Sequence, residues 1–192
     1  KLYEEKPGDD TTVAVMQIID RRPVHLMTGP PVDRDDDERI IREFMKDETA
    51  SRIVSGGTSA TILSRELGRP LKVSMDYTDP EIPPIAYMDG IDLVTEGVLT
   101  LSRVVDILNR FVEKKDLSYD FFKELDKNNG ASMLAKILIE DCTELQLYVG
   151  KAINSAYQNP GLPFDLGIRQ NLVEQLRHVI EEMGKTVVVT YY

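Results

Sequence analysis

The chain has few of the residues that cross-link a protein or anchor it to charged partners. Only Cys142 is a cysteine among 192 residues, which excludes an intramolecular disulfide and a cysteine-based zinc site and favours a reducing, cytoplasmic location. No apolar run approaches the ~20 residues of a membrane-spanning helix. Basic residues are also fewer than acidic ones: the chain has 23 Lys and Arg but 33 Asp and Glu, which gives a formal net charge of −10. Without a basic stripe, we expect neither nucleic acid nor an anionic membrane as a partner.

What is present fits a globular protein. Hydrophobic residues make up 42% of the chain and charged residues 29%, a balance that argues against disorder. The chain begins Lys1-Leu2-Tyr3, without a methionine and without a targeting pattern. We therefore expect it to be a piece of a longer protein.

From residue 51 onward, β-branched apolar stretches alternate with stretches of helical period. The predicted strands are 52–54, 71–75, 91–94, 145–149 and 186–191, and the predicted helices are 59–67, 99–113, 119–126, 132–141 and 168–183. This alternation predicts an α/β fold with a mixed, partly parallel sheet and flanking helices.

Two more strands are predicted near the N-terminus, at residues 11–19 and 24–28. Gly29-Pro30-Pro31 follows them, and tandem prolines end both helices and strands. We place a domain boundary there, so that residues 1–29 form the terminal strands of one domain and residues 30–192 form an α/β domain. The acidic run that follows, 33–39, predicts the start of a helix because acidic side chains are favourable at a helix N-terminus. A metal site at Asp35-Asp36-Asp37 is the alternative.

The densest group of potential metal ligands is Gly8-Asp9-Asp10-Thr11-Thr12, directly before the first predicted strand. Carboxylates at a strand entrance have little side-chain freedom and are the oxygen ligands that magnesium and manganese prefer. The alternative is a turn in which Asp and Gly serve only the backbone.

The longer string, residues 8–15 (GDDTTVAV), resembles the last metal-binding motif of metal-dependent protein serine/threonine phosphatases. The resemblance is strongest to the stage II sporulation protein E family of bacterial phosphatases. In several members a further segment follows the phosphatase domain, and it is similar to residues 55–60, 84–97, 149–154 and 158–160 here. The resemblance implies that residues 1–29 are the terminal strands of a phosphatase-type β-sandwich and that the remainder is an accessory α/β domain with a regulatory or ligand-binding role.

The resemblance also implies a chemistry for the longer protein. Asp9 falls on a metal-ligating position and Asp10 on its neighbour, and two Mn²⁺ or Mg²⁺ ions would activate water to hydrolyse phosphoserine or phosphothreonine in a phosphoprotein substrate. The family's other aspartates lie on earlier strands that these 192 residues do not contain, so we expect this chain alone to be inactive. The rival interpretation is a stand-alone α/β domain that binds a small anionic metabolite and has no phosphatase role.

A possible ligand site lies in two strand-to-helix turns. Its candidate residues are Gly56, Gly57, Thr58, Ser59, Thr95, Glu96 and Gly97. Helix N-termini offer N–H groups and a partial positive charge to phosphate or carboxylate, and both turns would share one sheet edge if their strands are parallel neighbours. The alternative is that these residues only cap helices, with Thr58 or Ser59 as the N-cap.

A later loop contributes two further candidate residues, Lys151 and Asn154. Both come directly after a predicted strand, so they could complete the same crevice. Polar side chains in long loops equally often bond to their own backbone, and the sequence leaves both interpretations open.

Overall fold

The computed structural model describes residues 2–3, 6–7, 12–16, 18–74, 82–114, 117–152 and 164–192. Its strands are β1 (Leu2–Tyr3), β2 (Lys6–Pro7), β3 (Pro23–Thr28), β4 (Ser51–Ser55), β5 (Lys72–Val73), β6 (Ala86–Met88), β7 (Ile91–Thr95), β8 (Glu144–Val149) and β9 (Thr186–Tyr191). Its α-helices are α1 (Asp37–Met45), α2 (Gly57–Leu67), α3 (Val98–Val112), α4 (Tyr119–Leu125), α5 (Gly130–Lys136) and α6 (Phe164–Glu182). A 3₁₀ turn at Arg34–Asp36 precedes α1, and a π-helical turn at Ile137–Asp141 follows α5.

Seven strands form one sheet in the order β5-β6-β7-β4-β3-β8-β9. β7, β4, β3, β8 and β9 are parallel to one another, whereas β5 and β6 are antiparallel additions at one edge. The mixed, partly parallel sheet predicted from the sequence is confirmed. Counted along the chain, the five parallel strands stand in the order third, second, first, fourth, fifth, which is the doubly wound arrangement.

The central strands are buried on both faces. Successive residues of β3 belong to different cores: Leu26 packs with the helices on one face, α3 to α6, and Met27 packs with those on the other, α1 and α2. A strand covered on both faces is mostly apolar, and all six residues of β3 are buried. The polar His25 within it is paired, with its Nδ1 atom 2.8 Å from the Phe44 carbonyl oxygen. The crossovers place a strand-to-helix connection at the carboxyl end of β3, β4, β7 and β8.

One strand crosses the predicted domain boundary. β3 was predicted as part of the piece before residue 29, but it pairs with β4 on one side and with β8 on the other. A unit made of residues 30–192 would lack the central strand of its own sheet. The predicted boundary is wrong because β3 is buried on both faces, whereas a strand of a small separate piece would keep one face exposed. The α/β unit therefore begins before Pro23.

The strand predicted at residues 11–19 does not form in the part of that segment that the structure describes. Residues 12–16 and 18–19 belong to no strand, and Val13, Val15, Met16 and Ile18 are 78%, 89%, 91% and 93% exposed. A strand needs a neighbour to satisfy its backbone N–H and C=O groups, and the described residues place none beside this apolar segment.

β6 was missed in the sequence, although a signal for it was present. Asp89-Gly90 connects β6 to the antiparallel β7, and Gly90 has a φ of +75°. A two-residue Asp-Gly turn between apolar runs is typical of a β-hairpin. The neighbouring β5 is shorter than predicted, with two residues at the sheet edge.

Candidate functional site

The turns that follow β4 and β7 are in direct contact at the carboxyl edge of the sheet. The Gly56 N–H donates to the Thr95 carbonyl at 2.9 Å, and a Cβ on Gly97 would lie 3.5 Å from the Gly56 Cα. We call residues 55–59 and 95–100 together the turn pair. β4 and β7 are parallel neighbours, so the condition under which the two turns would share one sheet edge is met.

Two buried hydroxyl groups, at the carboxyl ends of β4 and β7, hold the two turns together. Ser55 Oγ donates to the Glu96 carbonyl at 2.9 Å, and Thr95 Oγ1 lies 3.2 Å from Ser55 Oγ. Both residues are the last of their strands and are almost fully buried. These hydrogen bonds fix the path of the chain at Glu96 and so set the position at which α3 begins.

Glycine stands at the N-cap position of both helices. Gly56 precedes α2 and Gly97 precedes α3, and neither N-cap residue has a side chain that could cap its helix. The predicted N-cap at Thr58 or Ser59 is wrong. Gly56 has a φ of +126°, a backbone conformation that L side chains rarely adopt, and the helix therefore starts directly after it, at Gly57.

Two hydroxyl groups at the start of these helices lack hydrogen-bond partners in the described part of the chain. Ser59 and Thr100 each occupy the third helical position, each is 1% exposed, and neither Oγ atom has an acceptor or donor within reach. A Cβ on Gly56 would touch Ser59 Oγ at 3.6 Å and no other atom outside the local chain. The absent side chain of Gly56 thus leaves room for about one methyl group beside the Ser59 hydroxyl, which itself has no solvent contact.

Glu96 brings a carboxylate to the same turn. Its side chain is partly buried, and within the described residues its Oε2 atom has neither solvent contact nor a hydrogen-bond partner. Buried polar atoms are normally paired with protein, water or ligand. Three unpaired oxygens in one turn pair therefore make it the strongest candidate site in the described chain.

Lys151 is not brought to the turn pair. It follows β8, which is separated from β4 by β3, and its ammonium group lies 5.0 Å from the centre of the Tyr191 ring on β9. Asn154 lies outside the described residues. A sequence cannot show this separation, because a residue after a strand is placed by strand order rather than by chain distance.

The usual ligand position of a doubly wound sheet is filled by packing. The strand order reverses between β3 and β8, yet a Cβ on Gly150 would lie 2.1 Å from the Pro30 carbonyl oxygen. The buried Arg169 guanidinium donates to the Gly150 and Ala152 carbonyls at 3.3 Å and 3.1 Å. These contacts join the loops that follow β3 and β8.

The predicted metal ligands Asp9 and Asp10 lie outside the described residues. Across the part of the chain that is described, no three His, Cys, Asp or Glu side chains form a group that could hold a metal ion. The acidic run before α1 instead starts a helix, as its first interpretation predicted, with Asp33 accepting a hydrogen bond from the Asp35 N–H at 3.0 Å. No step of a metal-dependent reaction follows from these residues.

Two further observations limit the chemistry. Burial raises the pKa of the Cys142 thiol to about 11, so this group is not a thiolate nucleophile at neutral pH. Among the described residues, no helix has both the length and the apolar composition that a membrane crossing requires.

Comparison with known proteins adds no family assignment. No protein-family model matches the chain, and no curated protein or solved structure matches it at a significant level. The fold, the turn pair and the motifs of the sequence are the basis for a functional proposal.

Proposed function

We propose that the α/β unit is a ligand-binding, regulatory module that takes a small anion at the turn pair, and that it is the accessory part of a stage II sporulation E-type protein serine/threonine phosphatase. The observation that carries the binding role is the buried Ser59 hydroxyl, which has no hydrogen-bond partner in the described chain and lies at a helix start whose N-cap residue is glycine.

The turn pair has the donors that an anion needs. The first N–H groups of a helix have no acceptor within the helix, and its dipole places a partial positive charge there. Two such ends in contact give an anion donors from two directions. Ser59 and Thr100 add buried hydroxyl groups that have no partner in the described chain, so a ligand that reached them would supply hydrogen bonds that the described residues do not.

The phosphatase context is supported by the N-terminal segment. Residues 8–15 carry the resemblance, and the apolar side chains of residues 13–18 that the structure describes are largely exposed. An apolar segment of strand-forming residues without a partner is what the last strand of a separate domain would leave when that domain is absent. In the longer protein we expect Asp9 to ligate a catalytic Mn²⁺ or Mg²⁺ ion during hydrolysis of a phosphoprotein.

The binding role is tested by calorimetry and thermal unfolding with inorganic phosphate as the probe. At 100 times its Kd, a ligand stabilises the folded state by about 2.7 kcal/mol, which raises the Tm of a domain of this size by roughly 5–10 °C. Ser59→Ala should reduce the shift, whereas the control Ser102→Ala, on an exposed position of α3, should keep it. Equal shifts in both variants would remove the turn pair as the binding site.

The phosphatase role has its own test. Aspartate-containing motifs encoded upstream of Lys1 would support it, and an initiating methionine directly before Lys1 would contradict it and favour the stand-alone module. In the longer protein, Asp9→Ala should abolish manganese-dependent hydrolysis of a phosphoserine peptide. Undiminished turnover in that variant would exclude Asp9 from the metal site.

A further inference from the structure

Glu96 is an unexpected side chain at a site for anions. One of its carboxylate oxygens is withdrawn from solvent and, in the described part of the chain, receives no hydrogen bond. Removing a carboxylate oxygen from water without supplying a donor is unfavourable. The turn pair therefore has two kinds of unpaired group. The Glu96 carboxylate needs a hydrogen-bond donor, and the helix N-terminal N–H groups and the Ser59 and Thr100 hydroxyls need an acceptor.

The described chain does not supply that donor from a basic residue. Arg103 and Arg110, on the helix that Glu96 precedes, both bind Glu124 at 2.7 Å. Lys151, the candidate lysine that follows β8, lies over the Tyr191 ring instead. Within the described residues, then, no donor reaches this oxygen, and a ligand could supply one.

We propose that the turn pair binds a small zwitterion, whose anionic group lies at the N-termini of α2 and α3 and whose ammonium group lies at the Glu96 carboxylate. This inference rests on the proposed function, because both use the same anion position. A ligand that carries only negative charge is repelled by Glu96, whereas an ammonium group on the same ligand converts that repulsion into attraction. Amino acids and amino phosphates share this chemistry.

Matched probes separate the contribution of the ammonium group from that of the anion. One pair is L-alanine and propionate, and the other is phosphoethanolamine and ethyl phosphate, so each pair differs in the ammonium group alone and the two pairs differ in the anion. Calorimetry with the full chain should show that the ammonium-bearing member of at least one pair binds ten or more times tighter than its partner.

Glu96→Gln provides the decisive variant because it keeps the shape and removes the charge. It should weaken the ammonium-bearing probe at least tenfold and leave the simple anion unchanged or bound more tightly. The control Glu48→Gln makes the same charge change at an exposed position before β4, at the opposite edge of the sheet, and should alter neither. Unfolding curves without ligand establish that the variants fold, and Glu96→Asp offers a second variant.

The outcomes distinguish the two proposals. Equal affinities within both pairs, together with a loss on Ser59→Ala, would overturn the zwitterion and leave the anion site intact. An ammonium preference that survives Glu96→Gln would also overturn it. No Ser59-dependent binding of any probe would overturn both proposals.

Discussion

Alanine at Gly56 should destabilise the protein, whereas alanine at the adjacent Gly57 should not. Gly56 has φ +126° and ψ +129°, a conformation essentially restricted to glycine, and forcing another residue into it costs about 1–3 kcal/mol. The new Cβ would meet Ser59 Oγ at 3.6 Å, an ordinary contact, so strain of the backbone rather than a clash sets the cost.

Gly57 is the matched control. It is the first residue of α2, its φ is not in the positive region, and a Cβ there would touch no atom within 4 Å. Alanine at such a position stabilises by about 0.4–1 kcal/mol, because it reduces the conformational freedom of the unfolded chain. The two variants should therefore differ by roughly 1.5–4 kcal/mol.

Urea unfolding followed by circular dichroism at 222 nm measures this difference. Thermal unfolding gives a second readout. In a domain of this size, a loss of 1 kcal/mol in unfolding free energy lowers the Tm by about 2–4 °C, so the Tm of Gly56→Ala should lie roughly 2–12 °C below that of the native protein. Gly56→Ala should also weaken phosphate binding, because its methyl group would fill the space in front of Ser59. Equal stability of the two variants would refute the account of how α2 begins.

Three other predictions follow from single contacts. Arg21 donates to both Glu144 carboxylate oxygens at 3.0 Å and lowers the pKa of that carboxyl group. This ion pair stabilises the folded state fully above the pKa of an unfolded glutamate, about 4.3. The stabilisation is lost as the pH falls through the lower pKa of Glu144 in the folded state. Arg21→Met should thus flatten the pH dependence of the unfolding free energy below about pH 5, and an unchanged slope in urea melts from pH 3 to 6 would contradict this. Cys142 is 3% exposed with a raised thiol pKa, so a thiol reagent at pH 8 should label it only after denaturation; rapid labelling of the native protein would disprove its burial. Gly150→Ala would bring a methyl group within 2.1 Å of the Pro30 carbonyl oxygen, and we expect loss of the cooperative thermal transition, whereas a native Tm would show that these loops can separate.

Elements governed by local pattern were predicted well. β9 matches its predicted bounds of 186–191, and α3 lies within one residue of its predicted ends. In both elements, the spacing of the apolar residues predicts which face is buried. This spacing can be read within the segment itself, without information about the elements that pack against it. The acidic start of α1 was predictable for the same reason, since helix-dipole effects act within one turn.

The candidate site was predictable only in part. The glycine turns were identified from their position after strands, but Ser55 and Thr100 were missed. A hydroxyl residue three positions after Gly97, as Ser59 is after Gly56, was the available signal. Such a hydroxyl group is a candidate ligand contact only if it is buried and has no hydrogen-bond partner in the described chain. Neither its burial nor its partners can be read from the sequence.

The sequence by itself determined the α/β class, the alternation of strands and helices, and the glycines at two helix starts, because these depend on residues close together in the chain. The tertiary structure alone decided that β3 lies at the centre of the sheet, that β4 and β7 bring their turns into contact, and that Lys151 is placed elsewhere. Strand order is set by burial of apolar faces against distant segments, so no local pattern specifies it. The same long-range packing removes the Ser59 hydroxyl oxygen and one Glu96 carboxylate oxygen from water and leaves both without a hydrogen-bond partner among the described residues.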